Sequence, residues 1–261
     1  GSVGLAVIVP ALQALGHETI ALPTIVLSNH PGYERFAGLE TAPVNLEQIV
    51  DALDANGWLA GTDAMLTGYL PTKAHVKTAA RTIERVRAAN PAALIVCDPV
   101  FGDEPKGLFL DATVPAAIAE RLLPICDITT PNGFELSLLT DTPVDSPEAA
   151  VGAARALGVP SVLATSIPAG GDTLATLLID ETTARACFAP RRAAPPHGTG
   201  DLLAALYLGH VLNGVGGGAA LGRAVAAVGA SIATSAGRDE LSLASAAAIW
   251  VGARPLPTAA I

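Results

Sequence analysis

Ala93-Leu94-Ile95-Val96-Cys97-Asp98, followed by Pro99-Val100-Phe101-Gly102-Asp103, is the stretch on which the fold turns. A short apolar run that stops at a carboxylate and a Pro/Gly turn reads as a strand buried on both faces. Segments with helical spacing flank it, Thr72–Asn90 before and Ala112–Leu123 after. Parallel strands need helix-sized crossovers, so this order predicts a largely parallel sheet covered by helices. Working outward, further strands are expected at Thr19–Leu27, Ala64–Thr67, Ile128–Thr130 and Ser161–Thr165. Thr173–Ile179 and Ala184–Phe188 read as a hairpin across the Asp180–Glu181 turn. Further helices are expected at Ala6–Leu15, Leu46–Asn56, Phe134–Leu139, Pro147–Leu157, Gly200–Asn213, Ala219–Thr234 and Ala244–Trp250. No repeat, charge block or long linker divides the chain, which favours one domain. The first expected element is a helix, whereas a doubly wound sheet normally begins with a central strand. A first strand is therefore expected to be missing from the sequence as given.

The 261 residues carry 24 acidic and 15 basic side chains, a formal charge of −9 with His neutral. Acidity with scattered basic residues, apart from Arg191–Arg192, argues against a nucleic-acid partner, which needs a clustered basic face. An apolar share of 51% with 15% charged residues excludes a disordered chain. Gly, Pro or a charge interrupts every hydrophobic stretch before roughly 18 residues, so no membrane span is expected. Cys97, Cys126 and Cys187 lack C-x-x-C spacing and form neither a disulfide framework nor a zinc site, which suits a reducing cytoplasm.

Several strand ends carry polar clusters. Pro195-Pro196-His197-Gly198-Thr199-Gly200-Asp201 enters an apolar helix, placing two glycines and a carboxylate at its N-terminus. Exposed amides there, with the helix dipole behind them, suit phosphate oxygens or developing negative charge, although Asp and Gly-Thr-Gly also make an ordinary helix cap. Asp98 and Asp103 lie just past a parallel strand, where ligands of open α/β sheets bind and where a hard cation would accept carboxylate oxygen. A solvated turn is the alternative. Asn132 and Glu135 in Thr130-Pro131-Asn132-Gly133-Phe134-Glu135 could orient a hydrated metal or form a capping box. Thr165-Ser166 ends another strand, and Leu27-Ser28-Asn29-His30-Pro31-Gly32-Tyr33 and Thr67-Gly68-Tyr69 end two more. Tyr69 could stack on a planar ligand or be a buried aromatic with a satisfied hydroxyl. His17, His75 and His210 have no metal-ligand pairing and read as surface or satisfied histidines.

In their order along the chain these segments resemble the pyridoxal kinases of the ribokinase-like superfamily. The resemblance rests on Gly1-Ser2-Val3-Gly4, on Ser28-Asn29-His30 with Gly32-Tyr33, and on Thr67-Gly68-Tyr69. It continues through Cys97-Asp98-Pro99-Val100 with Gly102-Asp103, Thr130-Pro131-Asn132 with Phe134-Glu135, and Gly198-Thr199-Gly200-Asp201. It implies a three-layer α/β/α fold, a mostly parallel central sheet flanked by helices, and transfer of the ATP γ-phosphoryl group to the 5′-hydroxymethyl of pyridoxal or a related B6 vitamer. It further implies that Asp201 takes the alcohol proton while Gly198, Thr199 and Gly200 stabilise the transferring group. By the same resemblance Asp98, Asn132 and Glu135 hold Mg²⁺ and its waters on the triphosphate, and Asp103 sits on a loop near the phosphates. Thr130 and Thr165 match positions near a monovalent cation, K⁺ or Na⁺, and Ser166 the nucleotide side. Val3, Ile25, Leu27 and Tyr69 match the surroundings of the pyridine ring. A cytoplasmic homodimer is implied as well.

Two departures bear on the acceptor pocket. Pro31 stands where relatives commonly carry a Thr, and it brings neither hydroxyl nor N–H. His197 replaces a commonly apolar residue beside the glycine turn, where it could touch substrate or phosphate or be a spectator. The family's serine on the pyridine side belongs to the strand expected before Gly1. Hydroxymethylpyrimidine kinase, of the same superfamily, is the alternative enzyme, and a catalytically silent vitamer- or nucleotide-binding protein the alternative of another class.

Overall fold

The stretch around Asp98 forms the strand expected of it, and its neighbours assemble beside it. The computed structural model describes residues 3–192 and 194–261. Gly1 and Ser2, part of the first segment on which the resemblance rests, lie outside the described residues.

In chain order the elements are α1 (Leu5–Ala14), β1 (Ile25–Leu27), β2 (Gly38–Glu40), α2 (Pro43–Ala55), β3 (Ala64–Thr67), α3 (Lys73–Ala89) and β4 (Leu94–Cys97). Then follow β5 (Gly102–Asp103), β6 (Gly107–Leu108), α4 (Thr113–Arg121), β7 (Ile128–Thr129), α5 (Gly133–Thr140), α6 (Pro147–Ala156) and β8 (Ser161–Pro168). The chain closes with β9 (Thr173–Ile179), β10 (Ala184–Pro190), α7 (Thr199–Leu212), α8 (Gly217–Thr234), α9 (Ala247–Val251) and β11 (Ala259–Ala260).

The main sheet has seven strands in the order β11-β10-β9-β8-β7-β4-β3. β3, β4, β7 and β8 are mutually parallel, so their carboxyl ends line up along one edge. β9, β10 and β11 extend the sheet antiparallel, with β9–β10 as the expected hairpin. Side chains alternate across the sheet, as strand geometry requires. Ile95 and Cys97 face the core shared with Val76, Ile83 and Ile118, whereas Val96 faces the core shared with Leu202, Leu206 and Leu221. One helical layer lies against each face, giving the three-layer arrangement expected. α8 is the described helix long and apolar enough to cross a membrane, and here it packs on α7, β9 and β10.

Two expectations are corrected. The Thr19–Leu27 strand begins only at Ile25 and pairs with β2 in a separate two-stranded sheet. The apolar run Ile20-Ala21-Leu22 concealed the break at Pro23, which has no N–H to give a ladder. The Ser161–Thr165 strand continues to Pro168 through a register shift between Ala164 and Ile167. The extra residues accommodate Ser166 at φ 58°, a left-handed conformation in a bulge.

Candidate active site

α7 begins at a glycine turn. Gly198 is its N-cap at φ 89°, so the left-handed conformation falls to a residue without Cβ. Asp201 is therefore not the cap but the third residue of the helix, and its side chain is released for other contacts. Its Oδ2 accepts a hydrogen bond from the Gly4 N–H at 2.8 Å, across 197 residues of sequence. Burial raises the Asp201 carboxyl above its ordinary range, and the Gly4 N–H opposes that shift. A Cβ added at Gly200 would meet nothing within 4 Å, so open space lies beside that amide.

Asp98 follows the last residue of β4 and is 8% exposed, which removes the solvated-turn alternative. Its N–H donates to the Thr67 carbonyl at 2.9 Å, and its Oδ1 accepts from Thr130 Oγ1 at 2.8 Å. Burial holds its carboxyl well above the carboxylate range, with the charges of Glu135 and Asp201 adding to the shift. Asp98 thus senses the charges of both Glu135 and Asp201 at the common edge of the parallel strands.

Asn132 and Glu135 form the capping box. Asn132 Oδ1 accepts from the Glu135 N–H at 2.9 Å, and Glu135 Oε2 accepts from the Asn132 N–H at 3.0 Å. The pair also grips the segment after Asp98. Glu135 Oε1 accepts from the Phe101 N–H at 2.9 Å and the Gly102 N–H at 3.5 Å, while Asn132 Nδ2 donates to the Gly102 carbonyl at 2.8 Å. Burial moves the Glu135 carboxyl up to about 7, against these amide bonds and with the charge of Asp103 adding. The segment so held is the β5–β6 hairpin, which carries Asp103, and Asp103 Oδ1 is buried with no hydrogen-bond partner.

Thr165 joins the same edge through its N–H to the Pro131 carbonyl at 2.9 Å and a bridge to Asn132. Ser166 is exposed beside it. On the other side Thr24 Oγ1 donates to the Tyr69 carbonyl at 2.8 Å, setting the start of β1, with Ile25 and Leu27, next to the end of β3. Burial raises the Tyr69 hydroxyl pKa, and the Glu40 charge adds to it. Val3 immediately precedes Gly4, whose amide holds Asp201. His197 stacks on His30 with ring centroids 3.9 Å apart.

The geometry therefore brings Asp98, Thr130, Asn132, Glu135, Thr165 and Asp201 to one edge. The reasoning from sequence missed the Gly4 amide, the Phe101 and Gly102 amides and the His30–His197 pair. Backbone donors leave no mark in residue type, and the two histidines are separated by most of the chain. His75 and His17 are satisfied as expected, by Thr72 Oγ1 with the Thr41 carbonyl, and by the Gly209 carbonyl.

Comparison with known proteins fixes the family. Residues 10–243 match the family model described as phosphomethylpyrimidine kinase. The chain is 35% identical over 221 residues to pyridoxal kinase PdxY of Leifsonia xyli subsp. xyli, covering 82% of this chain and 77% of the relative. The chain belongs to the pyridoxal kinase family. PdxY of Deinococcus radiodurans is 37% identical over 82% of this chain and 76% of its own. The pyridoxal kinase of Leishmania donovani, solved in complex with ADP and pyridoxamine, superposes with a TM-score of 0.93 at 26% identity, covering 99% of this chain and 95% of that one. The ribokinase-like fold expected for a member of the pyridoxal kinase family is the one observed.

Proposed function

We propose that the chain transfers the γ-phosphoryl group of ATP to the 5′-hydroxymethyl of pyridoxal or a related B6 vitamer. The observation that carries this is Asp201, a carboxylate of raised pKa at the mouth of the glycine turn and within electrostatic reach of Asp98. In the step, the alcohol oxygen forms a bond to the γ-phosphorus, the bond to the ADP oxygen breaks, and the alcohol proton passes to Asp201. The amides of Thr199 and Gly200, at the positive end of α7, face the transferring negative charge. A base whose pKa is lifted toward neutrality takes a proton more readily at physiological pH.

The acidic edge suits a divalent cation. Asp98 is buried among like charges, and Asp103 Oδ1 is buried without a partner. That fits Mg²⁺, which keeps waters and phosphate oxygens as most of its ligands. Asp98 would hold it directly and Glu135 and Asn132 through the segment they fix, while Thr130 and Thr165 would face a monovalent cation. Bound Mg²⁺ neutralises charge on the triphosphate.

The acceptor pocket is read at Val3, Ile25, Leu27, Tyr69 and His197. The single seven-stranded sheet supports one kinase domain. Val26 and Leu39, paired across β1 and β2 and 50% and 63% exposed, support a homodimer joined through that face. The three buried, unpaired cysteines suit a cytoplasmic location.

The test is ATP-dependent phosphorylation of pyridoxal, followed by ADP release, in wild type and Asp201→Ala. Turnover in wild type with a loss of roughly two to four orders of magnitude in the variant is expected, with ATP binding retained. Wild-type turnover in Asp201→Ala would remove Asp201 as the base. Hydroxymethylpyrimidine is assayed in parallel, because the family model bears a pyrimidine kinase's description and Pro31 alters the acceptor side. Preference for the pyrimidine would replace the vitamer. Absence of transfer to either alcohol would leave the reading of a silent binding protein.

A further inference from the structure

We infer that His197 is a positioning residue for the acceptor: by stacking on His30 it fastens the β1–β2 connection, residues 28–37, to the glycine turn that precedes Asp201. The inference rests on the proposed kinase reaction for its kinetic consequence, but its structural basis is independent of it. The imidazole planes lie 15° from parallel with centroids 3.9 Å apart, a face-to-face contact between residues 167 positions apart.

Each ring is held by its own surroundings. His30 Nδ1 accepts from the Gly32 N–H at 3.0 Å, which fixes a tautomer with no proton on Nδ1. Burial, followed by the charges of His197 and Lys106, pushes the His30 pKa below its ordinary value, while Glu240 acts in the opposite direction. A neutral ring can stack without opposing charge. Gly32 leaves room for the His30 ring, since a Cβ there would stand 2.8 Å from His30 Nδ1, and the ring would have to shift. On the other side the His197 N–H donates to the Asp239 carbonyl at 2.9 Å, and His197 bridges to Glu240. Burial raises the Tyr33 hydroxyl pKa and the charges of Glu240 and Asp239 add to it, so a second residue of the connection lies near the segment that anchors His197.

The consequence follows from what each partner carries. The connection leaves β1, the strand of Ile25 and Leu27, and His197 is the residue before Gly198. Most of residues 28–37 is exposed, so few other contacts restrain it. The stack therefore sets how closely the acceptor wall approaches the phosphoryl-binding amides. It bears on the acceptor, not on the nucleotide edge formed by Asp98, Asn132 and Thr165.

The experiment compares His197→Ala, His197→Phe and wild type. Loss of an aromatic pair should raise KM for the phosphorylated alcohol roughly three- to tenfold, a larger effect than on KM for ATP. His197→Phe keeps a ring in place and should return KM to within about twofold of wild type. A readout independent of turnover is hydrogen exchange of the Gly32 amide, which should quicken in His197→Ala and stay slow in His197→Phe. Unaltered acceptor KM with unaltered Gly32 exchange in His197→Ala overturns the inference, as does failure of Phe to rescue. If wild type phosphorylates neither alcohol, the proposed function fails, and the exchange result alone decides for or against the stack.

Discussion

At the residue scale, the site is governed by how burial and hydrogen bonding set the behaviour of single ionisable groups. Asp201 sits in an environment that disfavours its charge. The acid limb of kcat/KM is expected above the ordinary carboxylate pKa near 3.9. Activity should fall as the pH drops through that limb, because protonated Asp201 cannot take the alcohol proton. A rate profile from pH 4 to 8 checks this, and a limb at or below the ordinary value would contradict it. The cysteines give a second prediction. Cys97, Cys126 and Cys187 are all buried, and burial pushes the thiols of Cys126 and Cys187 up to about 12 and about 11. Thiolate is the reactive form. Ellman's reagent at pH 8 should therefore label none of the three in the folded protein within minutes and all three in denaturant. Rapid labelling without denaturant would show the core to be looser than described.

At the element scale, α5 and the β5–β6 hairpin act as a unit. Replacing Asn132 by Ala removes the N-cap acceptor and the donor to the Gly102 carbonyl. The loss of the cap should cost about 1–2 kcal/mol of stability and raise KM for ATP, read by denaturant unfolding and steady-state kinetics. Gly102→Ala should disturb the hairpin and α5 together, since its Cβ would collide with the Phe134 ring and fall 3.0 Å from the Gly107 carbonyl. Val100, at φ 40°, marks the same segment as strained. A β-branched residue rarely adopts positive φ, and such strain persists where surrounding contacts enforce it. Gly at position 100 is expected to stabilise the protein if the strain is purely conformational.

This scale also separates what could be read from sequence from what could not. The run Leu94–Cys97 reveals its strand because both of its faces are apolar, a purely local property. Helices α3, α7 and α8 are similarly local, differing from expectation only at their ends. β2, β5, β6 and β11 are two or three residues long, too short to show an alternation of their own, and β11 in addition pairs with a strand some 75 residues away. Nothing in Gly102-Asp103 announces a strand. For the site, Asp98, Asn132, Glu135 and Asp201 were legible as residue types at strand ends. Whether they cap, coordinate or take a proton depended on burial and on backbone donors. Asn132 and Glu135 do form the bland capping box, and that box is also the clamp on the segment carrying Asp103.

At the scale of the whole molecule, two helical layers close on one sheet, and the layer of α7 and α8 has a large anchor in Trp250. Trp250 is 2% exposed and its indole N–H donates to the Leu243 carbonyl at 3.0 Å. Trp250→Ala should cost about 3–5 kcal/mol, measured as a drop in the denaturation midpoint. The β1–β2 sheet and its connection are incompletely covered, since Val26, Phe36 and Leu39 are each at least half exposed. If that face joins two copies, sedimentation of wild type should give a dimer and Leu39→Lys a monomer. An unchanged sedimentation coefficient in the variant would place the interface elsewhere.

The bond from the Gly4 amide to Asp201 reaches beyond stability. With one lone pair of Oδ2 engaged by Gly4, Oδ1 is the less occupied oxygen, and an incoming hydroxyl is expected to approach from its side. The two prochiral hydrogens of its methylene then point to different surroundings. An analogue carrying one extra methyl on that carbon should be consumed as one enantiomer and left behind as the other.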